Sequence, residues 1–284
     1  MITEKNVEDA LRQVARDVNN TEISKKSLVK FTDSKEDKRF FSYFNGTAEY
    51  YHRALPLLIN SIGAKNIVEL GSREGVSTLC IWDKLKDDAK FTTIDIIKDQ
   101  RYCPDAMFTD KRVRFVFGDV CDLSIFEGAI PFDIDFLFSD TIHYNFQVED
   151  EFEVYQHLLA DTALFAIDDI YVNDKIKFFE KVDYPKWDIS ELYHASGWGI
   201  FLFQRKESLT KEERILRAYQ ASAKIWKRKT TEQEALVEKY RKLSPLHALK
   251  RIIKAIKPLY FILTFIYNHY FSFRYKNNVR KIRI

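Results

Sequence analysis

Cysteine is scarce in this chain, and the usual marks of an exported protein are missing. The 284 residues include three cysteines. Because the number is odd and no metal-type spacing occurs, we expect reduced thiols and no disulfide framework. Residues 1–20 are polar and lack the apolar stretch of a secretory signal. These absences favour a cytoplasmic protein.

Acidic residues are also missing from the end of the chain, after Glu238. Residues 239–284 carry a formal charge of +12, whereas the whole chain has +3, which leaves −9 for the first 238 residues. A body with this charge argues against a nucleic-acid partner, because nucleic acids attract basic surfaces.

The basic tail contains an apolar and aromatic run at residues 258–273. This run is shorter than the ~20 residues that a membrane-spanning helix requires. Cations and aromatic rings without acids are typical of segments that lie on an anionic bilayer. We therefore expect residues 244–284 to bind the inner face of the membrane, which would make the protein peripheral. The alternative is a helical extension that packs on the core or in a homo-oligomer.

Five apolar runs, each closed by an acidic residue, occupy the middle of the chain. Runs of this kind are typical of strands buried on both faces of a sheet, and the gaps between them are long enough for crossover helices. Ligands of open α/β sheets bind outside the carboxyl ends of the strands, so the acids are expected to line one cleft. The runs are residues 66–71, 91–95, 113–119, 134–140 and 164–169.

The same pattern divides the chain into three parts. We expect a helical lead-in at residues 1–45, an α/β domain at residues 46–206 and a basic helical extension at residues 207–284. Two further strands, 189–193 and 199–203, are expected to pair as an antiparallel hairpin. In the extension, Thr231 followed by Glu234 forms a capping box, at which the helix is expected to break and restart.

A turn with two glycines, Gly71 and Gly75, joins the first strand to a helix. Glycine lets the backbone turn tightly and lets a ligand approach closely. No Gly-Lys-Ser/Thr follows, which excludes a P-loop, and the Gly-x-Gly-x-x-Gly of a dinucleotide site is absent. Asp95 ends the second strand about 24 residues beyond Gly71. A carboxylate there can accept hydrogen bonds from both hydroxyls of a ribose.

The glycine turn, the acid after the second strand and a Gly-Asp after the third strand together resemble the class I S-adenosylmethionine-dependent methyltransferases. The resemblance covers about residues 47–205. It implies a Rossmann-like, seven-stranded, mostly parallel sheet with helices on both faces, followed here by the C-terminal helical extension. The cofactor residues that it implies are Glu69, Gly71, Ser72, Gly75, Asp95 and Asp119.

Within this resemblance each part of the motif has a role. The glycine turn would pass the amino-acid part of S-adenosylmethionine, Asp95 would bind its ribose, and Asp119 would lie at its adenine. Arg73 departs from the pattern, because many members of the family have a further glycine at that position. Arginine at this position bears on the local shape of the glycine turn and not on the assignment of the motif.

Acids and a histidine follow the fourth and fifth strands. Three carboxylates at neighbouring strand ends are costly to keep ionised without a cation, and oxygen ligands suit Mg²⁺. Asp140, Asp168 and Asp169 are therefore expected to bind one divalent metal ion, for which Mg²⁺ is the expected species. His143, with Asp140, is the candidate catalytic pair, in which His143 removes a proton from a metal-bound hydroxyl.

Two alternatives remain open for these residues. In one, His143 binds backbone and Asp169 caps the next helix, without catalysis. In the other, the protein is a metal-free methyltransferase with Asp140 or His143 as the base.

The Asp-x-x-His loop and the acid pair are similar to those of metal-dependent sugar O-methyltransferases of macrolide biosynthesis and of related cephalosporin-pathway proteins. Some of those have Glu where this chain has Asp168. The resemblance implies methylation of a sugar or glycan hydroxyl, and the basic tail points to a lipid-linked surface polysaccharide. A soluble small-molecule natural product is the alternative acceptor. A membrane-recruited binding protein without catalysis is the alternative from another class.

Overall fold

The computed structural model describes residues 1–24, 27–30, 51–126, 129–190, 196–241 and 280–281. The helices are α1 Glu4–Asp17, α2 Tyr51–Ser61, α3 Val76–Asp83, α4 Asp105–Phe108, α5 Asn145–Tyr155, α6 Ile176–Lys181 and α7 Lys211–Arg241. The strands are β1 Asn66–Leu70, β2 Lys90–Asp95, β3 Val113–Phe117, β4 Ile134–Ser139, β5 Leu159–Asp168, β6 Lys186–Asp188, β7 Trp198–Gln204 and β8 Arg280–Lys281. Two short 3₁₀ helices, Val18–Asn20 and Leu123–Phe126, complete the set.

All the strands form one sheet in the order β3-β2-β1-β4-β5-β7-β6-β8. Strands β1 to β5 are mutually parallel, and β7 is antiparallel to both of its neighbours, β5 and β6. The two-residue β8 adds a short parallel pairing to β6 at the edge. The seven-stranded, mostly parallel, Rossmann-like sheet predicted from the sequence is thus confirmed. Its carboxyl edge carries the ends of β1 to β5.

Helices cover both faces of the sheet, as predicted. Along β5, Phe165 and Ile167 belong to one buried cluster, and Leu164 and Ala166 belong to the other, because neighbouring side chains of a strand point to opposite faces. The first cluster includes residues of α5, α6 and α7, and the second includes residues of α1, α2 and α3.

Helix α1 begins and packs as its sequence requires. Thr3 Oγ1 accepts a hydrogen bond from the Asn6 amide at 3.2 Å, and Asn6 Oδ1 accepts one from the Thr3 amide at 3.0 Å, which together cap the first turn. The valines and leucines on the apolar face of α1 and at the start of the 3₁₀ helix after it are buried, so the described start of the expected lead-in packs on the domain. They are Val7, Leu11, Val14 and Val18.

Two local predictions were wrong. The sixth strand is β6, which ends before residue 189 and pairs antiparallel with β7. Of the predicted span 189–193, residues 189 and 190 are not in a strand, and residues 191–193 lie outside the described residues. Helix α7 runs without a break through Thr231, whose hydroxyl donates to the Lys227 carbonyl at 2.8 Å. A threonine hydroxyl can bond the carbonyl one turn earlier inside a continuous helix, so the capping box does not force an end there.

The start of the C-terminal extension packs on the sheet domain. Ala218, Ala221 and Ile225 of α7 are buried in the same cluster as the strands. The domain boundaries at residues 46 and 207 remain predictions.

No helix in the part of the chain that the structure describes is both long and apolar enough to cross a bilayer. Most of the expected membrane-binding segment, residues 244–279, lies outside the described residues.

Candidate active site

The loops that follow β1 and β4 touch at Gly71. Its backbone has φ +94°, and a Cβ built there would lie 2.1 Å from the carbonyl oxygen of Asp140. The Asp140 amide donates to the Leu70 carbonyl at 2.8 Å, and the Gly71 amide donates to the Ile94 carbonyl at 2.8 Å. Only glycine fits so close an approach at a positive φ. The predicted cofactor turn and the predicted catalytic loop therefore share one wall of the cleft.

Glu69 lies beneath this turn and has no exposed surface. Its carboxyl accepts hydrogen bonds from the hydroxyls of Ser77, Thr78 and Thr93, each at 2.6 Å. Burial raises the pKa of Glu69 to about 7, and the three hydroxyls oppose part of that rise. Glu69 was predicted among the cofactor residues. The structure gives it the position of a support, which ties β1, β2 and the start of α3 together beneath the turn.

The turn is held to the second strand through Asp95. Its Oδ2 accepts from the Arg73 amide and its Oδ1 accepts from the Ile97 amide, both at 2.7 Å. Arg73 adopts φ +44°, so it takes the left-handed conformation for which glycine is usual. The Ser72 carbonyl accepts from the Gly75 amide at 2.7 Å where α3 begins. The turn is therefore tight even with arginine at position 73.

Asp119 follows β3 and meets a residue that the sequence analysis did not connect with it. Its Oδ1 accepts from the Cys121 amide at 2.8 Å. Both of its carboxylate oxygens also accept from Lys229 Nζ of α7, at 3.1 and 3.0 Å. The described start of the extension thus reaches the edge of the predicted cofactor site.

Three carboxyls converge beyond β4 and β5, as predicted. Burial, and next the negative charges of Asp168 and Asp169, raise the pKa of Asp140 well above its usual range. Asp169 takes φ +54°, a left-handed conformation that is uncommon for a residue other than glycine. Its Oδ2 lies 3.2 Å from Nδ1 of His143. The predicted base and one predicted metal ligand are therefore direct neighbours.

A buried lysine stands behind these acids, and the sequence analysis missed it. Lys175 has no exposed surface, and its Nζ donates to the Asp168 carbonyl at 2.8 Å. Its positive charge opposes the rise in the pKa of Asp140 and of Glu151. The cluster of acids thus contains a cation of its own. The only signal in the sequence was a lysine six residues after the acid that closes the fifth run.

Glu151 of α5 is a second buried acid that was not predicted. It accepts hydrogen bonds from Ser139 Oγ at 2.6 Å, Thr141 Oγ1 at 2.5 Å and Gln147 Nε2 at 2.8 Å. Burial raises its pKa. These contacts fix the loop that carries Asp140 and His143 to α5.

The carboxyl groups are of the type that binds a divalent metal ion, but the way they are grouped fits an ion less well. Carboxylate oxygens are the ligands that Mg²⁺ prefers. Among the described residues, however, no three or more His, Cys, Asp and Glu side chains are grouped so that they could hold an ion. The metal set of Asp140, Asp168 and Asp169 was a sequence prediction and stays one.

Comparison with known proteins identifies the type of domain. Residues 68–170 match the family model described as a methyltransferase domain. No curated protein matches the chain.

Several solved structures are similar to this chain. A putative caffeoyl-CoA O-methyltransferase from Staphylococcus aureus is 21% identical, with 61% of this chain and 93% of that chain covered and a TM-score of 0.47. A methyltransferase from Podospora anserina, solved with S-adenosylhomocysteine, is 13% identical, with 72% and 98% covered and a TM-score of 0.49. An O-methyltransferase from Bacillus cereus is 18% identical, with 72% and 93% covered and a TM-score of 0.41. These identities and TM-scores give no information about the substrate.

Proposed function

We propose that this chain is a class I methyltransferase that transfers the methyl group of S-adenosylmethionine to a hydroxyl of a sugar or glycan. The domain match and the strand order support the methyltransferase part of the proposal. One observation carries the proposal. The Gly71 turn packs directly against Asp140, and Asp140 lies in the same loop as His143. A sulfonium held at the turn would lie beside an acid, a histidine and a second acid that faces the histidine.

The cofactor would be held along the carboxyl edge of β1, β2 and β3. Each oxygen of Asp95 accepts one backbone amide and keeps a further lone pair for a ribose hydroxyl. Asp119 lies one strand further along and is part-exposed, so its Oδ2 can accept from the amino group of the adenine. The turn from Gly71 to Gly75 would pass the amino-acid portion.

His143 would act as the general base. Asp169 Oδ2 lies 3.2 Å from Nδ1 and would orient the ring, and Nε2 would accept the proton of the acceptor hydroxyl. The oxygen then forms a bond to the methyl carbon while the carbon–sulfur bond breaks. The sulfur keeps that electron pair and becomes a neutral thioether. Alignment of oxygen, carbon and sulfur supplies much of the rate.

Asp140, Asp168 and Asp169 would hold a divalent metal ion, which when bound would lower the pKa of the acceptor hydroxyl. Lys175 already supplies one positive charge to these acids. The demand for an external cation is reduced accordingly.

The rim beside His143 supports an acceptor with a flat apolar face. Tyr144 and Phe146 are about half exposed and stack on each other with ring centroids 5.7 Å apart. Aromatic faces of this kind are suited to the C–H face of a sugar ring. A soluble small-molecule natural product with an aromatic ring is the second candidate acceptor. A binding protein without catalysis is the candidate from another class.

Calorimetric titration tests the cofactor and the metal together. S-adenosylmethionine and S-adenosylhomocysteine are each titrated into the protein with and without Mg²⁺. We expect micromolar binding of both, and we expect methyl transfer to sugar acceptors to stop in a chelator and resume when Mg²⁺ is restored. Absence of binding under both conditions would overturn the methyltransferase proposal. Full transfer in chelator would remove the metal and leave His143 as the base.

A panel of nucleotide-activated sugars, lipid-linked sugars and small phenols then separates the acceptors, with release of S-adenosylhomocysteine as the readout. Turnover of phenols alone would overturn the sugar assignment. Cofactor binding without turnover of any member of the panel would favour the binding protein.

We further propose that residues 244–284 attach the enzyme to an anionic membrane surface, on the grounds of their charge of +9. The full chain is expected to sediment with vesicles that contain anionic lipid, and a chain that ends at Leu243 is expected to stay in the supernatant. Vesicles of neutral lipid are the control. Equal sedimentation of the two chains would contradict the proposal, and a change from dimer to monomer on truncation would favour the oligomer alternative instead.

A further inference from the structure

We propose that Lys229 of α7 is a positioning residue of the cofactor site, so that the affinity for S-adenosylmethionine depends on how α7 is docked. The inference rests on the proposed function, because it concerns the acid expected at the adenine. It adds a residue from outside the matched domain, since the methyltransferase match ends at residue 170.

Helix α7 is fixed to the segment that follows β3. The Ser222 hydroxyl donates to the Cys121 carbonyl at 2.7 Å and accepts from the Leu123 amide at 3.0 Å, and all three groups are buried. Two turns further along, Arg228 forms an ion pair with the buried Asp150 of α5. These contacts hold one face of α7 against the loop that carries Asp119.

Lys229 is placed at Asp119 by this docking. Its Nζ lies 3.1 Å from Oδ1 and 3.0 Å from Oδ2 of Asp119, and 3.3 Å from Oε1 of Gln147. The side chains of Lys229 and Asp119 are 16% and 22% exposed, so solvent screens the pair only in part. Three acceptors around the partly buried ammonium of Lys229 fix its position, whereas the ammonium of a lysine on an open surface is not fixed in this way.

The geometry leaves room for the cofactor beside the lysine. Asp119 Oδ1 already has two donors, the Cys121 amide and Lys229. Within the described residues, Oδ2 accepts a hydrogen bond from Lys229 and keeps a lone pair for a second donor. An adenine amino group can therefore join the pair without displacing the ammonium.

The charge of Lys229 is needed because the surroundings are acidic. Burial lowers the pKa of Lys229, but the nearby carboxylates of Asp119 and Asp150 are among the groups that outweigh burial, and the pKa is raised. A neutral amino group cannot balance the charge of Asp119 in such a place. Without the ammonium, we expect the carboxylate to turn toward water, and the adenine then loses a fixed acceptor.

The test compares Lys229→Met with Lys229→Arg and with Lys227→Met, an exposed position on the same helix. The dissociation constant of S-adenosylhomocysteine is measured by calorimetry, with thermal melting as a check that each variant is folded. We expect Lys229→Met to weaken binding roughly tenfold, as for loss of a charge-assisted contact. We expect Lys229→Arg to restore most of the affinity and Lys227→Met to have no effect.

A double-mutant cycle with Asp119→Asn separates positioning from a general effect on stability. If Lys229 acts through Asp119, Lys229→Met should add little to the loss already caused by Asp119→Asn. Additive losses would overturn the inference, as would equal affinities of Lys229→Met and Lys227→Met. Tighter binding by Lys229→Met would also overturn it, since the lysine would then compete with the adenine. Failure of the unaltered protein to bind would reject the proposed function itself.

Discussion

Turnover is expected to fall about 10²- to 10⁴-fold when His143 is replaced by alanine, because the acceptor hydroxyl then has no positioned base. The affinity for S-adenosylhomocysteine should be unchanged, since His143 lies in the β4 loop and no cofactor contact is assigned to it. The measurement is kcat with an acceptor identified from the panel, together with calorimetry on the same preparation.

His157→Ala is the matched control, because His157 precedes β5 at the opposite edge of the sheet and should leave turnover unaltered. A normal rate in His143→Ala would remove the base role and favour Asp140.

Asp169→Asn adds a second comparison. If Asp169 only orients His143, its loss of rate will be the same at every Mg²⁺ concentration. If it is a metal ligand, a higher Mg²⁺ concentration will restore part of the rate.

Replacement of Gly71 with alanine is expected to lower the free energy of unfolding by about 2–6 kcal/mol, from left-handed strain and from overpacking together. The new methyl group would lie 2.1 Å from the Asp140 carbonyl oxygen, and that atom belongs to the backbone, so it cannot rotate away. The loops after β1 and β4 would have to separate. Urea unfolding gives the loss in stability, and calorimetry should show that cofactor binding is lost in the protein that still folds.

Gly63→Ala is the control, because it introduces the left-handed strain without a steric clash. Gly63 has φ +71°, but a Cβ there meets no atom within 4 Å. We expect this control to cost about 1–2 kcal/mol, which is the left-handed penalty alone. Equal losses in the two variants would mean that the loops do not pack as described.

The parts of the fold that could be predicted are those with a local signal. The apolar runs located β1 to β5, and the acids at their ends fall at one edge because parallel strands share a direction. The neighbourhood of Asp140, Asp168 and Asp169 followed from that alone. Their contact with His143 needed only a short loop after β4.

The parts that could not be predicted depend on partners distant in the chain. Lys229 and Asp119 are 110 residues apart, and no periodicity links a lysine on a charged helix to one acid among many. Lys175 is similar, since its burial depends on how α6 returns to the sheet. Glu69 shows a different limit, because the motif gave its position near the end of β1 but not the partners of its side chain.

The uninterrupted course of α7 has a consequence for distance. From Lys229, beside the end of β3, the helix continues to Arg241, which is a rise of about 18 Å at 1.5 Å per residue. Under the proposed membrane attachment, this length of helix would lie between the predicted adenine site and the segment that binds lipid. It would then set the distance between the cleft and the lipid surface, and so favour acceptors whose hydroxyls lie at that distance.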